Sequence, residues 1–240
     1  FYEHPDFLIV NKAPNVSVHK DDADEPWVNA IAQQCGVEKL YLVHRLDKMT
    51  SGMVILAKHA MAVRELSNLF AMRQIDKFYL AISSQKPKKK QGLICGDMQK
   101  SRRSMWKLTQ NMHNPAVTQF ISKADDTGMR LFLCKPYTGQ THQIRVALTA
   151  IGAPILGDPL YGNAKHNLNV DRGYLHAYAM RFSYQNQVFE FVCPPKMMQG
   201  LGKRWQDESI QAVLNQWQTP WLLTWPKLAK HLLYQESASH

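Results

Sequence analysis

The residues best suited to chemistry lie in the stretch HRLDKMTSG, at positions 44–52. Its central aspartate, Asp47, could serve as a helix N-cap, a salt-bridge partner or a catalytic carboxylate, and the cap is disfavoured because turn and strand residues follow it. An aspartate nucleophile has to stay ionised while partly buried, which requires a nearby cation or several hydrogen-bond donors. The alternative is a solvated polar turn that leads into the apolar segment at 53–57.

A second dense stretch, TGQTHQIRVALTAIGAPILGDPLYG at positions 138–162, contains a candidate cation. Apolar residues recur with helical spacing over 144–151, and Gly152 is placed to end the helix. Arg145 falls in the first turns of this helix, where unpaired backbone donors also favour anions. The chain can bring Arg145 and Asp47 together, although their spacing alone does not require it.

Composition excludes several classes of protein. The 240 residues are 45% hydrophobic and 20% charged, which is typical of a globular chain long enough for one large domain or two small lobes. The longest apolar runs are too short to span a bilayer, and no secretory signal is recognised. The four cysteines form no CxxC pair and the ten histidines no HExxH pattern, so we expect no metal, no disulfide and a cytoplasmic location.

The net charge of +10 and the pI near 9.4 predict a polyanionic partner, with nucleic acid ahead of a membrane surface. Solubility alone is the alternative. No basic amphipathic helix or lipidation motif supports a membrane. Residues 86–104 show little periodicity and predict an irregular loop. Their basic clusters are candidates for RNA contact, through Lys88, Lys89, Lys90, Arg102 and Arg103.

The remaining pattern mixes strands and helices without a regular βαβ rhythm, which favours an α+β fold with a mixed sheet. Residues 7–19 predict a strand, a turn at Pro14-Asn15 and a second strand. Helical spacing predicts helices over 25–35, 59–70 and 144–151. Further strands are expected at 41–44, 53–58, 77–82, 116–121, 129–136, 175–182 and 187–192.

Taken together, these motifs resemble the RluA family of pseudouridine synthases, whose signature is HRLD, two variable residues, TSG and an apolar strand. FLIVNKAPN, KFYLAI, NPAVTQF, the stretch at 138–162, LHAYAMRFSY and FVCPP match further family segments in the same order, over about residues 5–195. The resemblance implies an α+β fold with a largely antiparallel central sheet flanked by helices and an active-site cleft across it. It also implies isomerisation of uridine in RNA, without a cofactor or a metal.

The resemblance assigns roles to individual positions. Asp47 would attack the target uridine at C1′ of the ribose or at C6 of the base, and Arg145 would hold it charged and oriented. Tyr79 would stack on the flipped uracil and help to remove the C5 proton, and Ile144 would form a wall of the base pocket. Arg45 would take the place of the extruded nucleotide in the RNA.

Further positions are assigned to substrate binding by the same resemblance, namely His44, Thr50 and Gln143. Read singly, His44 is typical of a structural hydrogen-bonding residue and Thr50 of a turn. The pattern departs from the family at Lys12-Ala13-Pro14-Asn15, where Lys-Pro-x-Gly is usual, and at Gln140, which replaces a frequent arginine. We expect a catalytic domain over 1–200 and a helical C-terminal extension over 201–240, packed on the same domain.

Two other functions compete with this interpretation. A catalytically silent RNA-binding protein on the same fold would keep the basic surface but would have no need of Asp47. An unrelated hydrolase with an aspartate nucleophile would need a second carboxylate if it were a retaining glycosidase. The strong motifs contain one candidate, Asp158, which is typical of a turn residue in GDPLYG. The expected partner is a stem-loop of rRNA or tRNA, with no obligate protein partner.

Overall fold

The computed structural model describes residues 2–18, 26–102, 104–229 and 232, and these form one eleven-stranded sheet with four α-helices. The helices are α1 (Pro26–Cys35), α2 (Ala60–Ala71), α3 (Gln143–Ala150) and α4 (Glu208–Leu214). The strands are β1 (Tyr2–Glu3), β2 (Phe7–Lys12), β3 (Tyr41–Leu42), β4 (Ser51–Ala57), β5 (Asp76–Ser83), β6 (Gln91–Lys100), β7 (Trp106–Leu108), β8 (Pro115–Ala124), β9 (Arg130–Pro136), β10 (Leu175–Tyr184) and β11 (Gln187–Val192).

Strand order in the sheet is β1-β2-β4-β10-β5-β9-β8-β6-β7, with β11 paired to β10 and β3 to β4. Every pairing is antiparallel except that of β4 with β10, which is parallel. The sheet is therefore mixed and largely antiparallel, with helices against it. This arrangement confirms the predicted α+β class.

Alternate side chains of the central strands enter cores on opposite faces of the sheet, as the two-residue period of a strand requires. Met53 and Ile55 of β4 pack in a core with α2. Val54 and Leu56 pack on the other face with α1, and α3 covers β5, β8 and β9 in a third cluster. Because both faces are covered, β4 is a continuous apolar run and does not alternate with polar residues.

The segment after residue 200 joins the core on the α2 side. Trp205 and Trp217 are fully buried there, in the cluster that includes residues of β2, β4 and β5. Helix α4 contributes Ile210 and Val213 to the same cluster. The division at residue 200 into a catalytic domain and an extension stays a prediction.

Two local predictions are wrong. Residues 16–18 form no strand, because the buried ammonium of Lys12 takes up the carbonyls of Ala13 (3.0 Å) and Val16 (2.8 Å). Residues 86–104 are not an irregular loop, since they contain the ten-residue strand β6. Gly96 weakens the strand signal in the sequence, yet φ is +155° there and a Cβ would lie 2.0 Å from a backbone oxygen, so only glycine fits.

Candidate active site

Asp47 lies in the loop that enters β4, directly above the start of that strand. Its carbonyl accepts a hydrogen bond from the backbone N–H of Thr50 (2.9 Å), which closes a tight turn. Gly52 then adopts a φ of +109°, and a Cβ there would lie 2.3 Å from the carbonyl oxygen of Ala177 on the parallel strand β10. The TSG part of the motif thus allows β4 to approach β10 immediately below Asp47.

The guanidinium of Arg145 joins Asp47 to a second carboxylate. Nη1 donates to Oδ2 of Asp47 (3.0 Å), while Nε and Nη2 donate to the two oxygens of Asp158 (2.7 and 2.9 Å). The side chain of Arg145 is 4% exposed, that of Asp158 is 0% exposed and that of Asp47 is 26% exposed. The two motif-bearing stretches of the sequence therefore meet at a single arginine.

Asp158 is a turn residue, as the sequence predicts, but it is also the main partner of Arg145. One of its oxygens accepts the backbone N–H groups of Leu160 (2.8 Å) and Tyr161 (3.0 Å) as well. Burial alone would lower the pKa of Arg145, yet the hydrogen bonds and the charge of Asp158 outweigh burial and raise it. Sequence patterns do not reveal this partnership, because an aspartate in a turn is usually solvated.

Beneath the Asp47 loop lies a buried polar network that the sequence did not indicate. Arg172 donates to Oγ of Ser51 (2.8 Å), and Ser51 in turn contacts Nδ1 of His176 (2.7 Å). Nε2 of His176 bonds the carbonyl of Cys193 (2.8 Å), and burial lowers the pKa of His176 to about 3, so its ring is neutral. Nδ1 therefore accepts the proton of Ser51, and every member of the chain is satisfied.

Lys12 supports the same loop from the side. Its ammonium donates to the carbonyl of Lys48, next to Asp47, at 3.2 Å. Burial and the positive charge of Arg172 lower the pKa of Lys12 to about 7, while the charge of Asp47 opposes that shift. The loop that carries Asp47 is thus fixed from below and from the side by buried groups.

Two cavities open on either side of the Asp47–Arg145 pair, with volumes of about 730 and 490 Å³. The larger is within the usual range for sites that bind small molecules. Within the described residues, Asp47 is the only acidic side chain that lines either cavity. Both cavities are lined by Arg45, Leu46, Asp47, His142 and Arg145.

The larger cavity also contains the residues predicted to surround a base. Tyr79 projects from β5 and Ile144 from the start of α3, and both line it together with Thr50. Burial, reinforced by the charge of Asp47, raises the pKa of Tyr79, so its phenol is protonated at neutral pH. The cavity therefore combines an apolar wall with a single carboxylate.

His44 and Gln143 line the larger cavity, but both are engaged by the protein. Nε2 of His44 accepts the backbone N–H of Ile55 (3.0 Å), and the ring stacks on Phe70 at 4.4 Å. The amide oxygen of Gln143 accepts two hydrogen bonds, and its NH₂ group donates two. Its partners are Thr138, Gln140, Val117 and Thr118. The polar groups of Gln143 are therefore saturated, and it contributes shape to the wall.

The two basic clusters lie at opposite ends of β6. Lys88–Lys90 precede the strand, whereas Lys100 ends it and Arg102 follows; Arg103 lies outside the described residues. Ten residues of strand separate the clusters by roughly 30 Å. The Lys100 end is the one near the cavities, because the backbone N–H of Trp106 on β7 donates to the hydroxyl of Tyr161 (2.8 Å), whose ring lies against Arg145.

No group of three or more metal-binding side chains occurs in the part of the chain that the structure describes. Among those residues, no helix is long and apolar enough to cross a membrane.

Comparison with solved structures defines the class of fold. Human RNA pseudouridylate synthase domain containing 1 superposes with a TM-score of 0.72 at 23% identity, over 94% of this chain and 95% of the human chain. The sheet and its flanking helices are therefore those of a pseudouridylate synthase.

Comparison of sequences defines the family. A family model described as RNA pseudouridylate synthase matches residues 6–150. An uncharacterized RNA pseudouridine synthase of Haemophilus influenzae is 49% identical over 89% of this chain and 94% of its own length. Ribosomal large subunit pseudouridine synthase D of Zymomonas mobilis is 32% identical over 75% of this chain and 63% of its own length. The chain belongs to the RNA pseudouridylate synthase family, and it is therefore an RNA-modifying isomerase.

Proposed function

We propose that the chain converts a specific uridine in structured rRNA or tRNA to pseudouridine, with Asp47 as the nucleophile on a flipped-out nucleotide. The observation that carries the proposal is the position of Asp47. It is the single acidic side chain lining either cavity in the described residues, and Arg145 holds one of its oxygens. Its Oδ2 is fixed at 3.0 Å from Nη1 of Arg145.

The reaction is balanced without a co-reactant. The bond between C1′ and N1 of the uracil breaks, a bond between C1′ and C5 forms, a proton leaves C5 and a proton is gained at N1. Asp47 can begin this sequence at C1′ or at C6, and in either case negative charge develops on the uracil ring. Arg145 remains a cation throughout, because the buried Asp158 raises its pKa.

The larger cavity is the site that we assign to the extruded uracil. Tyr79 and Ile144 offer an apolar surface and a ring on which a base can stack. Because the phenol of Tyr79 is protonated, stacking is its first role. A protonated phenol cannot accept the C5 proton, so Tyr79 would help to remove that proton only if its own had first passed to another group.

RNA binding is assigned to the charged surface around the cavities. Arg45 is exposed and lines both cavities beside Asp47, which suits a side chain that replaces the extruded nucleotide in the RNA stack. Lys100 and Arg102 lie on the β6–β7 hairpin near the same opening, and Lys88–Lys90 would contact a more distant part of the RNA. The relative from Zymomonas mobilis is named for the large ribosomal subunit, which supports rRNA as a substrate. A role on such RNA implies a cytoplasmic location.

The test compares the wild-type protein with Asp47→Asn and Asp47→Ala on total RNA that lacks the modification. We expect the wild type to form pseudouridine and both variants to lose at least about 10³-fold in rate, because none of the other described residues that line the cavities is a carboxylate. RNA binding should persist in both. Undiminished product from either variant would refute the role of Asp47, and RNA binding without product by the wild type would favour a catalytically silent RNA-binding protein.

A further inference from the structure

His142 lies at the junction of the two cavities and has no role in the mechanism described above. It is the residue immediately before α3, with a left-handed backbone at φ +59°, and its carbonyl accepts the N–H of Val146 (2.9 Å). Histidine is one of the few residues enriched in this conformation. The side chain is half-buried and lines both cavities together with Asp47 and Arg145.

The hydrogen bonds around Tyr161 determine which nitrogen of His142 carries the proton. The Tyr161 hydroxyl accepts the backbone N–H of Trp106 (2.8 Å) and lies 3.0 Å from Nδ1 of His142. With that N–H already on the phenol oxygen, we assign the phenol proton to the contact with His142, which makes Nδ1 the acceptor. In a neutral imidazole the proton is therefore on Nε2, which makes no hydrogen bond within the described part of the chain.

The charged groups around the ring keep it neutral. Burial and the positive charge of Arg145 lower the pKa of His142, with a smaller contribution from Arg45, while Asp47 and Asp158 oppose the shift. The net direction is downward from 6.5, so the imidazole is uncharged at pH 7. It offers an N–H donor and no full positive charge.

We propose that Nε2–H of His142 donates a hydrogen bond to a carbonyl oxygen of the target uracil, where negative charge collects as the bond to the sugar breaks or C6 is attacked. The proposal rests on the function proposed above, and it adds a catalytic residue to it. The proton stays on Nε2, so the atom balance of the reaction is unchanged. Tyr161 is the positioning residue, because its hydroxyl fixes both the tautomer and the ring.

A uracil carbonyl suits this donor better than a phosphate does. A neutral imidazole is an effective hydrogen-bond donor to a carbonyl oxygen that gains negative charge in a low-dielectric site. A phosphate already carries a full charge, and Arg45 and Lys77 supply cations for it at the edge of the larger cavity. His142 lines both of the cavities that Asp47 lines, so it flanks the carboxylate whichever cavity receives the base.

The test uses His142→Asn, which tolerates the left-handed backbone but has too short a side chain, and His142→Gln, whose amide can reach the position of Nε2. Consumption of the target nucleoside is measured in single-turnover reactions at saturating RNA, with a matched RNA that carries 5-fluorouridine at the target. C5 of 5-fluorouridine has no proton to lose and keeps its fluorine after the C1′–C5 bond forms, so loss of the starting nucleoside, and not formation of pseudouridine, is compared between the two RNAs. Fluorine itself stabilises negative charge on the ring. We expect His142→Asn to lose about 10²-fold with uridine, several-fold less with 5-fluorouridine, and His142→Gln to regain part of the loss.

Equal losses with the two RNAs, or a wild-type rate for His142→Asn, would overturn the proposal. Tyr161→Phe keeps the ring against Arg145 and should show the same substrate dependence in weaker form. The dissociation constant for RNA and the melting temperature are measured for every variant, so a folding defect is recognised. If Asp47→Asn also retained activity, the proposed function itself would fail. If only the His142 variants behaved like wild type, the failure would be confined to this inference.

Discussion

Two aspartates share Arg145, and they differ in almost every physical respect. Asp158 is 0% exposed, binds the guanidinium through both oxygens and accepts two backbone N–H groups. Asp47 is 26% exposed and makes one contact with the same arginine. Burial and the number of occupied oxygen positions, and not residue type, thus distinguish the structural carboxylate from the one that we propose to be reactive.

The same difference extends to the groups around each aspartate. Asp158, Arg145 and Tyr161 form an inner support whose polar groups are satisfied by the protein. Asp47 and Arg45 form an outer surface that faces the two cavities. Loss of one partner of a buried ion pair is strongly destabilising, whereas a partly exposed carboxylate can be changed with little effect on folding.

The largest expected difference between the two aspartates is found by removing each carboxylate charge in turn and measuring the free energy of unfolding. Asp158→Asn leaves the buried Arg145 with a single charged partner, the partly exposed Asp47, so we expect about 3–5 kcal/mol of stability to be lost. Asp47→Asn should cost no more than about 1 kcal/mol, because Asp158 still neutralises Arg145. Denaturant titration followed by tryptophan fluorescence measures both. Equal losses for the two variants would show that the carboxylates have equivalent structural roles.

A smaller effect should come from the network below the Asp47 loop. Ser51→Ala removes the group that links Arg172 to His176, and we expect about 1–3 kcal/mol of destabilisation, because two buried partners lose a hydrogen bond. Ser84→Ala is the matched control, since Ser84 also contacts a histidine, His166, but on the exposed surface. The control should change stability by less than about 0.5 kcal/mol. Ser51→Ala should also slow the reaction. An unchanged rate would show that this network is not needed to position Asp47.

The smallest effects should come from the exposed lysines and arginines. Replacing Lys100 and Arg102 by glutamine should weaken RNA binding and reduce the slope of log affinity against log salt by about 0.7 for each lost contact to single-stranded phosphate. The matched triple change at Lys88, Lys89 and Lys90 removes more charge from the far end of β6. We expect it to have the smaller effect on product formation. Unchanged salt slopes for both would exclude these clusters from the RNA interface.

The sequence predicted the elements that are specified by their own local residue pattern, namely the central strands and the helix that carries Arg145. The apolar runs gave the central strands, and the spacing in TGQTHQIR placed Arg145 at a helix start facing an anion. Strand β6 was missed because its two glycines and the lysines around it mask the alternation of apolar and polar residues that is typical of a strand. Its stability comes from pairing with β8. Asp158 was recognised as a turn residue only, because its bidentate bond to Arg145 depends on a fold that brings their side chains together.

The buried polar groups that hold the Asp47 loop could not be predicted from the sequence, for a similar reason. Ser51 reads as a turn former, yet it is an internal link between Arg172 and His176, which lie more than a hundred residues away in the chain. Likewise, nothing in the sequence around Lys12 shows that its ammonium would be buried on three carbonyls. Long-range polar contacts of this kind leave no periodic trace in a sequence.

We propose that the partly exposed Asp47 carries out uridine isomerisation while Asp158 only holds the arginine. The most direct measurement maps pseudouridine at single-nucleotide resolution in the RNA of cells that express the wild-type chain, Asp47→Asn or no copy of the gene. We expect at least one rRNA or tRNA position that is modified with the wild type and unmodified in the other two strains. A position that depends on the gene but remains fully modified with Asp47→Asn would contradict it.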